Sequence, residues 1–487
     1  MALMVNADIT ALLEALTTGD EQRVICETLQ LLGPEQVPPA KLAARVGIPA
    51  AWGNGDGDPL SVLSVAGRIA EWMRAIPIGP EPGSEARRLL APALPLVQGF
   101  LAVADRVRKG LPEPHPALPD PILPADVAQE GGSLAALRKS IAQRDAKTTA
   151  GILMGYYATG TDYREMLTAV YAALDVRYPE AGRPFTYAVA GSRVLDMANW
   201  GDRVPAYVYW VTPLLVDSAP DTPAAEAARA YAAASEHDLR WLRTRLSIPK
   251  EEAAGPAFQQ ALLSGDAQAA CDAVLQALRA GATPIGVAAG IALAAADRVN
   301  AVPEGDREEL LRTAQVLRYA HSVHVAMLQT QNPEVWPLLY TAACAVNAIR
   351  VTAPANAVER SAPVSTPVGG LIAASMLRTI EKQIDEGDTA GALSTTRRYL
   401  QMGHQSRALA GIIGSVAATR DAVSSDPQSL QILPVVAAAA EEYLTLPKAL
   451  EAGGQNPMLN AAIRLAAELR GEHRVADQVR EAISIML

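Results

Sequence analysis

The sequence has few cysteines, few aromatic residues and no clustered positive charge, and each shortage excludes a class of protein. Its 487 residues include three cysteines and 5% aromatic residues, and its net charge is −10. Because they are odd in number and lie in apolar helical contexts, we interpret Cys26, Cys271 and Cys344 as reduced core thiols of a cytoplasmic protein. Without a basic stripe, the chain is poorly suited to bind nucleic acid or an anionic membrane.

Long apolar runs and the motifs of common nucleotide-binding enzymes are also missing. The longest apolar run, residues 284–296, is too short to cross a bilayer. The N-terminus lacks the basic region, apolar run and cleavage site of a signal peptide. There is no GxxxxGK[ST], no GxSxG and no GxGxxG after a strand. No segment alternates apolar and polar residues long enough to propose a sheet, so we expect an all-α protein.

The clearest helical unit present is residues 265–299, which contain two helices. Asp266 suits an N-cap, because its carboxylate can accept from the free backbone N–H groups of the first turn. Gly281 suits the end of that helix, and Pro284 suits the first turn of the next one. The second helix consists mostly of alanine, isoleucine, leucine and valine, and its small side chains allow close packing.

This pattern of cap and turn recurs along the chain. Asp145, Asp266 and Asp388 are separated by 121 and 122 residues, and a glycine follows each of them by 15 residues. A degenerate copy begins at Asp20, with an earlier turn at Gly33. Regular self-similarity is typical of repeat architectures. We therefore predict a multi-helical array of about four repeated units, each with four to five helices.

The intervals and the proline content divide the chain into a divergent unit, a linker and a main domain. The predicted segments are an N-terminal helical unit (1–110), a proline-rich linker (111–130) and a main helical domain (131–487), which comprises units at about 131–217, 255–352 and 369–453 and closing helices at 456–487. The run LPEPHPALPDPILP in the linker favours an extended chain.

The second unit contains half of the aromatic residues of the chain. Tyr187, Trp200, Tyr207 and Trp210 are among them. Such a concentration is expected where large side chains fill the centre of a domain. It is also expected where apolar walls with a few hydroxyl groups form a small-molecule site, and in that case these four residues would bind the substrate.

Two histidines have the spacing of a reactive site. His321 and His324 are three residues apart and would share one face of a helix, where they could hold a metal or make ordinary hydrogen bonds. If the units pack side by side, Glu441 or Glu442 of the fourth unit could approach them. His404, just after a predicted turn, is a further metal-ligand candidate.

Two stretches of these units resemble the helical repeats of questin-oxidase-like proteins and related bacterial helical proteins. They are GRPFTYAVAGSRVLDMANWGDRVPAYVYWVTPLLVD and LRYAHSVHVAMLQTQNPEVWPLLYTAACAVNAI. The resemblance implies an all-helical oxygenase acting on fused aromatic polyketides, in some members with non-haem iron held by histidines. Thr186 and Arg193 stand where a ligand histidine would be expected, so only His321, His324 and His404 carry over as metal ligands.

The function that we expect is that of an oxygenase-like enzyme or a relative of one, an oxidoreductase that acts on a hydrophobic small molecule, such as a fused-aromatic one, in an internal pocket. His321 and His324 would be its catalytic residues, either as ligands of non-haem iron or another divalent metal, or as general base and hydrogen-bond donor. The alternative is a non-catalytic helical-repeat scaffold that binds a protein partner or another copy of the chain.

Overall fold

The computed structural model describes residues 8–53, 57–77, 84–112, 115–174, 178–216, 222–245, 254, 256–350, 370–446 and 456–487. All regular secondary structure within these ranges is helical, as predicted. The helices before the linker are α1 (Thr10–Thr18), α2 (Glu21–Leu32), α3 (Pro39–Trp52), α4 (Gly57–Met73), α5 (Ser84–Leu90) and α6 (Ala93–Gly110).

The helices of the middle of the chain are α7 (Ser133–Ala142), α8 (Ala146–Ala158), α9 (Tyr163–Ala173), α10 (Arg183–Ala198), α11 (Val204–Val216), α12 (Pro223–Ala234) and α13 (Glu236–Arg245). Those of the last part are α14 (Pro256–Ser264), α15 (Ala267–Arg279), α16 (Pro284–Ala301), α17 (Arg307–Thr330), α18 (Pro337–Ala348), α19 (Gly370–Glu386), α20 (Thr389–Gln401), α21 (Ser406–Ala418), α22 (Ser429–Thr445), α23 (Pro457–Glu468) and α24 (Arg474–Met486).

The predicted helix starts are confirmed. Asp145, Asp266 and Asp388 are N-caps of α8, α15 and α20, and each carboxylate accepts from the backbone N–H three residues later. The glycines 15 residues beyond them have φ values of +65°, +101° and +74°, a region that favours glycine. Asp20 caps α2 in the same way, but Gly33 has φ −82°. Helix α2 therefore has the cap but is not followed by the left-handed turn.

Four helices from distant parts of the chain form the centre of the fold. Helix α4 packs against α10 and α22, and α17 packs against the same two helices. These four, called here the central helices, are buried along most of their length and on all sides. A helix that is buried on every side has no solvent-facing stripe, so any charged residue on it must find its partners inside the protein.

The segment predicted as a linker, residues 111–130, is irregular in its middle, and one part of it is fixed to the body. Residues 115–123 contain no helix and are exposed or half-buried, whereas a short 3-10 helix, Ala128–Glu130, lies at the end of the segment. The backbone N–H of Ile122 nevertheless donates to the carbonyl of Gly151 at 2.8 Å. His115 stacks on Trp52 with ring centroids 4.6 Å apart. Residues 113–114 lie outside the described residues.

One helical stretch in the described chain is long and apolar enough to cross a membrane by length and composition. It runs from Ser84 to Gly110, and 67% of its most apolar window is buried inside the fold. Helices in the core of a protein can have the same length and composition, because burial favours the same apolar side chains as a bilayer does.

Candidate functional site

The central helices bring six ionisable side chains together in the interior. We call them the charge cluster: Arg68 on α4, Arg193 on α10, His321 and His324 on α17, and Glu441 and Glu442 on α22. The two histidines share a face of α17 because they are three residues apart. All of the cluster is buried except the side chain of Arg68, which is 37% exposed. The cluster therefore reaches the surface beside α4.

Glu442 joins the two histidines. Its Oε2 lies 2.7 Å from Nδ1 of His321, and its Oε1 lies 2.8 Å from Nδ1 of His324. One carboxylate thus accepts a hydrogen bond from each ring. Burial raises the pKa of this carboxyl, but its contacts with His324 and His321 outweigh burial and lower the pKa to about 2. Glu442 is a fixed negative charge at neutral pH.

Glu441 is held by the two arginines. Nη1 of Arg193 donates to its Oε2 at 2.9 Å, and Arg68 donates to its Oε1. Nε2 of His321 lies 3.2 Å from the same Oε2. Burial raises the pKa of Glu441, but the positive charges of Arg193 and Arg68 lower it far below its usual range. Both carboxylates of the cluster are therefore ionised.

His321 lies between these carboxylates. Burial lowers the pKa of its ring, but hydrogen bonds to Glu441 and Glu442 outweigh burial and raise the pKa above the ordinary value of 6.5. In the charged form both ring nitrogens donate, one to each glutamate. The guanidinium of Arg193, with Nη2 3.1 Å from Nε2 of His321, is then a neighbouring cation that shares Glu441.

His324 has a different arrangement. Its Nδ1 faces Glu442, and a neutral ring that donates from Nδ1 leaves the lone pair of Nε2 free. The hydrogen bond described for His324 is the one at Nδ1. A carboxylate that orients an imidazole in this way, with the opposite nitrogen unprotonated, is the arrangement of a general base.

A second polar group lies along the same helices. Arg318 of α17 donates to Ser61, lies 4.0 Å from Oδ1 of Asp58, and has its guanidinium carbon 5.7 Å from the ring centre of Tyr187. Burial, and then the charge of Asp58, raises the pKa of Tyr187, so its phenol stays protonated. Of the four predicted substrate-binding residues, Tyr187 is the one with a described contact to α17.

The other three predicted substrate-binding residues contact one another on the α11 side of α10. The ring centres of Trp200 and Tyr207 are 6.0 Å apart, and those of Tyr207 and Trp210 are 6.2 Å apart. A Cβ on Gly191 would meet both Tyr207 and Trp210. Gly191 and Arg193 are two residues apart, so they lie on nearly opposite faces of α10. Within the described contacts, this aromatic group does not reach His321 or His324.

His404 is separate from the charge cluster. It lies between α20 and α21, with its ring centre 4.8 Å from that of Tyr399. None of its described contacts involves His321 or His324. The structure thus brings together two of the three predicted metal ligands and gives the third a different environment.

The cluster does not fit the metal that the resemblance implied. Among the described residues, no group of three or more His, Cys, Asp or Glu side chains is arranged to hold a metal ion. The guanidinium of Arg193 contacts both His321 and Glu441, so a permanent cation already occupies the space between those two potential ligands. Neutral imidazoles and unpaired carboxylates are what a metal requires. We therefore assign no chemical step to a metal.

Arg68 and Arg318 are the site residues that sequence reasoning missed. Each is an isolated arginine in a helix whose neighbouring residues are mostly apolar, as in SVLSVAGRIAEWM around Arg68. Burying a charge is costly unless it is paired, so an arginine among mostly apolar neighbours indicates an internal partner. That signal was present in the sequence.

Two cavities are described, and neither is lined by the histidines. One, of about 430 Å³, lies between the start of α17, the α19–α20 turn and the end of α23. The other, of about 390 Å³, lies where the linker packs on α8 and α11, and Tyr209 is part of its wall.

Comparison with known proteins gives no relative: no family model, no curated protein and no solved structure matches the chain.

Proposed function

We propose that the chain is a closed ring of four related five-helix units whose fourth helices meet at the centre. The units would be α1–α4 with α6, α7–α11, α14–α18 and α19–α23, so that α4, α10, α17 and α22 are equivalent. Three observations support this. The capping aspartates precede the second helix of each unit, the fourth helices of successive units pack together, and α22 of the last unit packs on α4 of the first.

Contacts between neighbouring units follow the same rule around this ring. The third helix of one unit packs against the fourth helix of the next in three consecutive pairs: α3 with α10, α9 with α17 and α16 with α22. The pair α21 with α4 completes the circle. In this arrangement α23, which the sequence placed among the closing helices, is the fifth helix of the last unit. The charge cluster lies where all four units meet.

We also propose that the protein is an enzyme that removes a proton from a hydrophobic small molecule bearing an acidic hydroxyl group. The observation that carries this proposal is the buried pair of His324 and Glu442, with Nδ1 2.8 Å from Oε1. Glu442 orients the ring, and Nε2 accepts the proton. The same residue, His324, was one of the two catalytic residues expected from the sequence.

The rest of the cluster supplies positive charge for the anion that this step produces. His321 has a raised pKa, and Arg193 lies beside it. Fixed charges in a water-poor interior stabilise a developing anion more strongly than the same charges do in water. Arg68 and Glu441 hold Arg193 and His321 in place. A fused aromatic phenol suits this site, because its anion is delocalised over an apolar body.

An oxygenase-like reaction with dioxygen as the oxidant is the outcome that we propose for such an anion, because deprotonation makes a phenol electron-rich and easier to oxidise. A ring carbon of the anion would form a C–O bond to dioxygen, which that electron pair reduces to a bound peroxide. The peroxide would take back the proton held by His324, so a hydroperoxide forms without a further reductant. The enzyme's own residues are needed only for the proton transfer and for binding the anion. In this proposal Tyr187, which lies beside Arg318, would contact a substrate held along the central helices. The aromatic group of Trp200, Tyr207 and Trp210 would support α10 from its other side.

The test uses 1,8-dihydroxyanthraquinone, a fused phenol whose visible absorption moves to longer wavelength on deprotonation. We expect the wild-type protein to bind it and to produce the spectrum of the anion at neutral pH. His324→Ala should bind the dye without the spectral shift, and Glu442→Gln should weaken the shift. The matched control is His404→Ala, because His404 lies outside the cluster.

Three results would contradict the proposal. They are no binding by the wild-type protein, a spectral shift that survives in His324→Ala, and about one iron or zinc per purified chain that is lost in His321→Ala. The last result would restore a metal as the reactive group.

The scaffold alternative is favoured by one observation: neither of the two cavities described above is lined by His321 or His324. In that case the charge cluster would only fix the geometry of the four central helices, and a protein partner or a second copy of the chain would bind the outer surface. A wild-type protein that binds no dye but elutes as an oligomer in size-exclusion chromatography would support this alternative.

A further inference from the structure

Two buried cysteines from distant parts of the sequence lie side by side. Sγ of Cys271 on α15 is 3.3 Å from Sγ of Cys344 on α18, and both residues are only 1% exposed. Cys344 also contacts the carbonyl of Ala267 at 3.7 Å. The third thiol, Cys26, is exposed on α2, so our expectation of three core thiols was wrong for that residue.

We propose that Cys271 and Cys344 form a reversible disulfide when the protein meets a small peroxide. The two sulfur atoms need to approach each other by about 1.3 Å to reach a bond of about 2.0 Å. Helices α15 and α18 pack directly against each other, so a small shift of two side chains brings the atoms within reach. Their separation of 73 residues makes the bond a covalent link across a whole helical unit.

The chemistry balances with hydrogen peroxide as the oxidant. The thiolate of one cysteine attacks a peroxide oxygen, the O–O bond breaks, and a sulfenic acid and water form. The second thiolate attacks the sulfenic sulfur, the S–S bond forms, and a second water leaves. Overall two thiols lose two electrons and two protons, and one peroxide is reduced to two waters.

Either sulfur can donate in the contact between the two thiols. A hydrogen bond from one thiol stabilises the thiolate of the other, and the thiolate is the nucleophile, so either cysteine can attack the peroxide first. Burial restricts the pair to small oxidants, since glutathione disulfide is too bulky to reach two side chains that are almost fully enclosed.

The bond would enclose the segment that carries the two candidate catalytic histidines. Residues 271–344 contain α16 and α17, and therefore His321 and His324. A crosslink that closes so long a loop restricts the unfolded chain more than the folded one. Oxidation is thus expected to raise the melting temperature of the protein, and this expectation does not depend on the proposed enzyme function.

The experiment counts thiols in the full-length chain, unfolded after treatment with hydrogen peroxide and quenching with catalase. A Cys26→Ser background removes the exposed thiol. In that background we expect two free thiols before treatment and none after it, full recovery with dithiothreitol, and a peptide that joins residues 271 and 344. The matched controls are Cys271→Ala and Cys344→Ala, in which the remaining thiol should give sulfenic acid or stay reduced without forming the crosslink.

Two outcomes would overturn the inference. One is retention of both thiols in folded protein at a peroxide concentration that oxidises Cys26 in the wild type. The other is a crosslink that forms only between chains. Should the alanine variants fold poorly, the thiol count and the peptide map of the Cys26→Ser protein alone still decide the question.

Discussion

Nδ1 of His324 lies 2.8 Å from Oε1 of Glu442, and both residues are almost completely buried. A buried carboxylate needs hydrogen bonds or opposite charges that compensate for its lost hydration. Two imidazoles provide these hydrogen bonds to Glu442, and the same bonds fix the orientation of both rings. Stability and the proposed chemistry therefore rest on the same contact.

The first prediction concerns removal of the Glu442 charge. Glu442→Gln should lower the free energy of unfolding by about 3–5 kcal/mol, because it leaves the buried rings of His321 and His324 without the carboxylate that they share. Urea unfolding followed by circular dichroism measures the effect. The control is Glu236→Gln, which breaks the exposed pair with Arg240 and should cost under about 1 kcal/mol. Equal costs in the two variants would show that the cluster contributes no more than a surface ion pair.

The second prediction is the pH range in which the cluster stabilises the protein. The pKa of Glu442 is about 2 in the folded chain against an ordinary 4.5, so its contribution is present above pH 4.5 and is lost as pH falls toward 2. The pKa of His321 is raised above 6.5, so its contribution is complete below pH 6.5 and is lost as pH rises through the folded value. The cluster should therefore stabilise the folded protein most between pH 4.5 and pH 6.5.

Urea unfolding at a series of pH values measures this profile in the wild type and in two variants. Glu442→Gln should reduce the slope on the acid side, where Glu441 still contributes, and also on the alkaline side, because Glu442 helps to raise the pKa of His321. His321→Asn should remove the contribution of His321 on the alkaline side. The groups facing His321 are Glu441, Glu442, Arg193 and, through Glu441, Arg68. Unchanged slopes on both sides would show that neither group is coupled to folding.

Local structure was the part of the fold that could be predicted from the sequence. The helix starts at Asp145, Asp266 and Asp388 follow from capping chemistry, which depends on a few neighbouring residues. The shared face of His321 and His324 follows from the helical repeat. The approach of Glu441 and Glu442 depended on one further assumption, that the units pack side by side, and the short distances are consistent with it.

The direction in which each buried helix faces could not be predicted in the same way. Helix α10 is buried all round, so its sequence does not reveal that Arg193 faces α17 while Gly191 faces Trp210. The exposed position of Cys26 is different. The buried face of α2 includes Val24, Ile25, Thr28 and Leu29, and Cys26 lies outside it. The helical periodicity of the sequence therefore predicts an exposed position for Cys26.

The third prediction tests the cap of α15. Oδ1 of Asp266 accepts from the backbone N–H of Ala269 at 2.8 Å. Asp266→Ala should lower the free energy of unfolding by about 0.5–2 kcal/mol, because that N–H loses its acceptor. Asp266→Asn retains an acceptor and is the matched control, with a smaller loss. The same stability for the alanine and asparagine variants would mean that the cap contributes nothing measurable.

The last prediction concerns the linker, whose sequence indicates an exposed chain and whose structure adds one anchor. Gly151 and Gly155 of α8 allow the chain to approach closely at Ile122, and a Cβ on Gly155 would lie 1.9 Å from the Ile122 carbonyl oxygen. A clash with backbone is not relieved by rotating a side chain, so Gly155→Ala should displace the linker from α8.

In limited proteolysis we expect early cleavage within residues 111–121 of the wild type. We expect cleavage to extend past Ile122 and to become faster in Gly155→Ala. Tyr157→Ala, an exposed change on the same helix, should match the wild type. Protection of the whole linker in the wild type would mean that it packs as part of the body, and an unaltered pattern in Gly155→Ala would mean that the contact at Ile122 does not hold it.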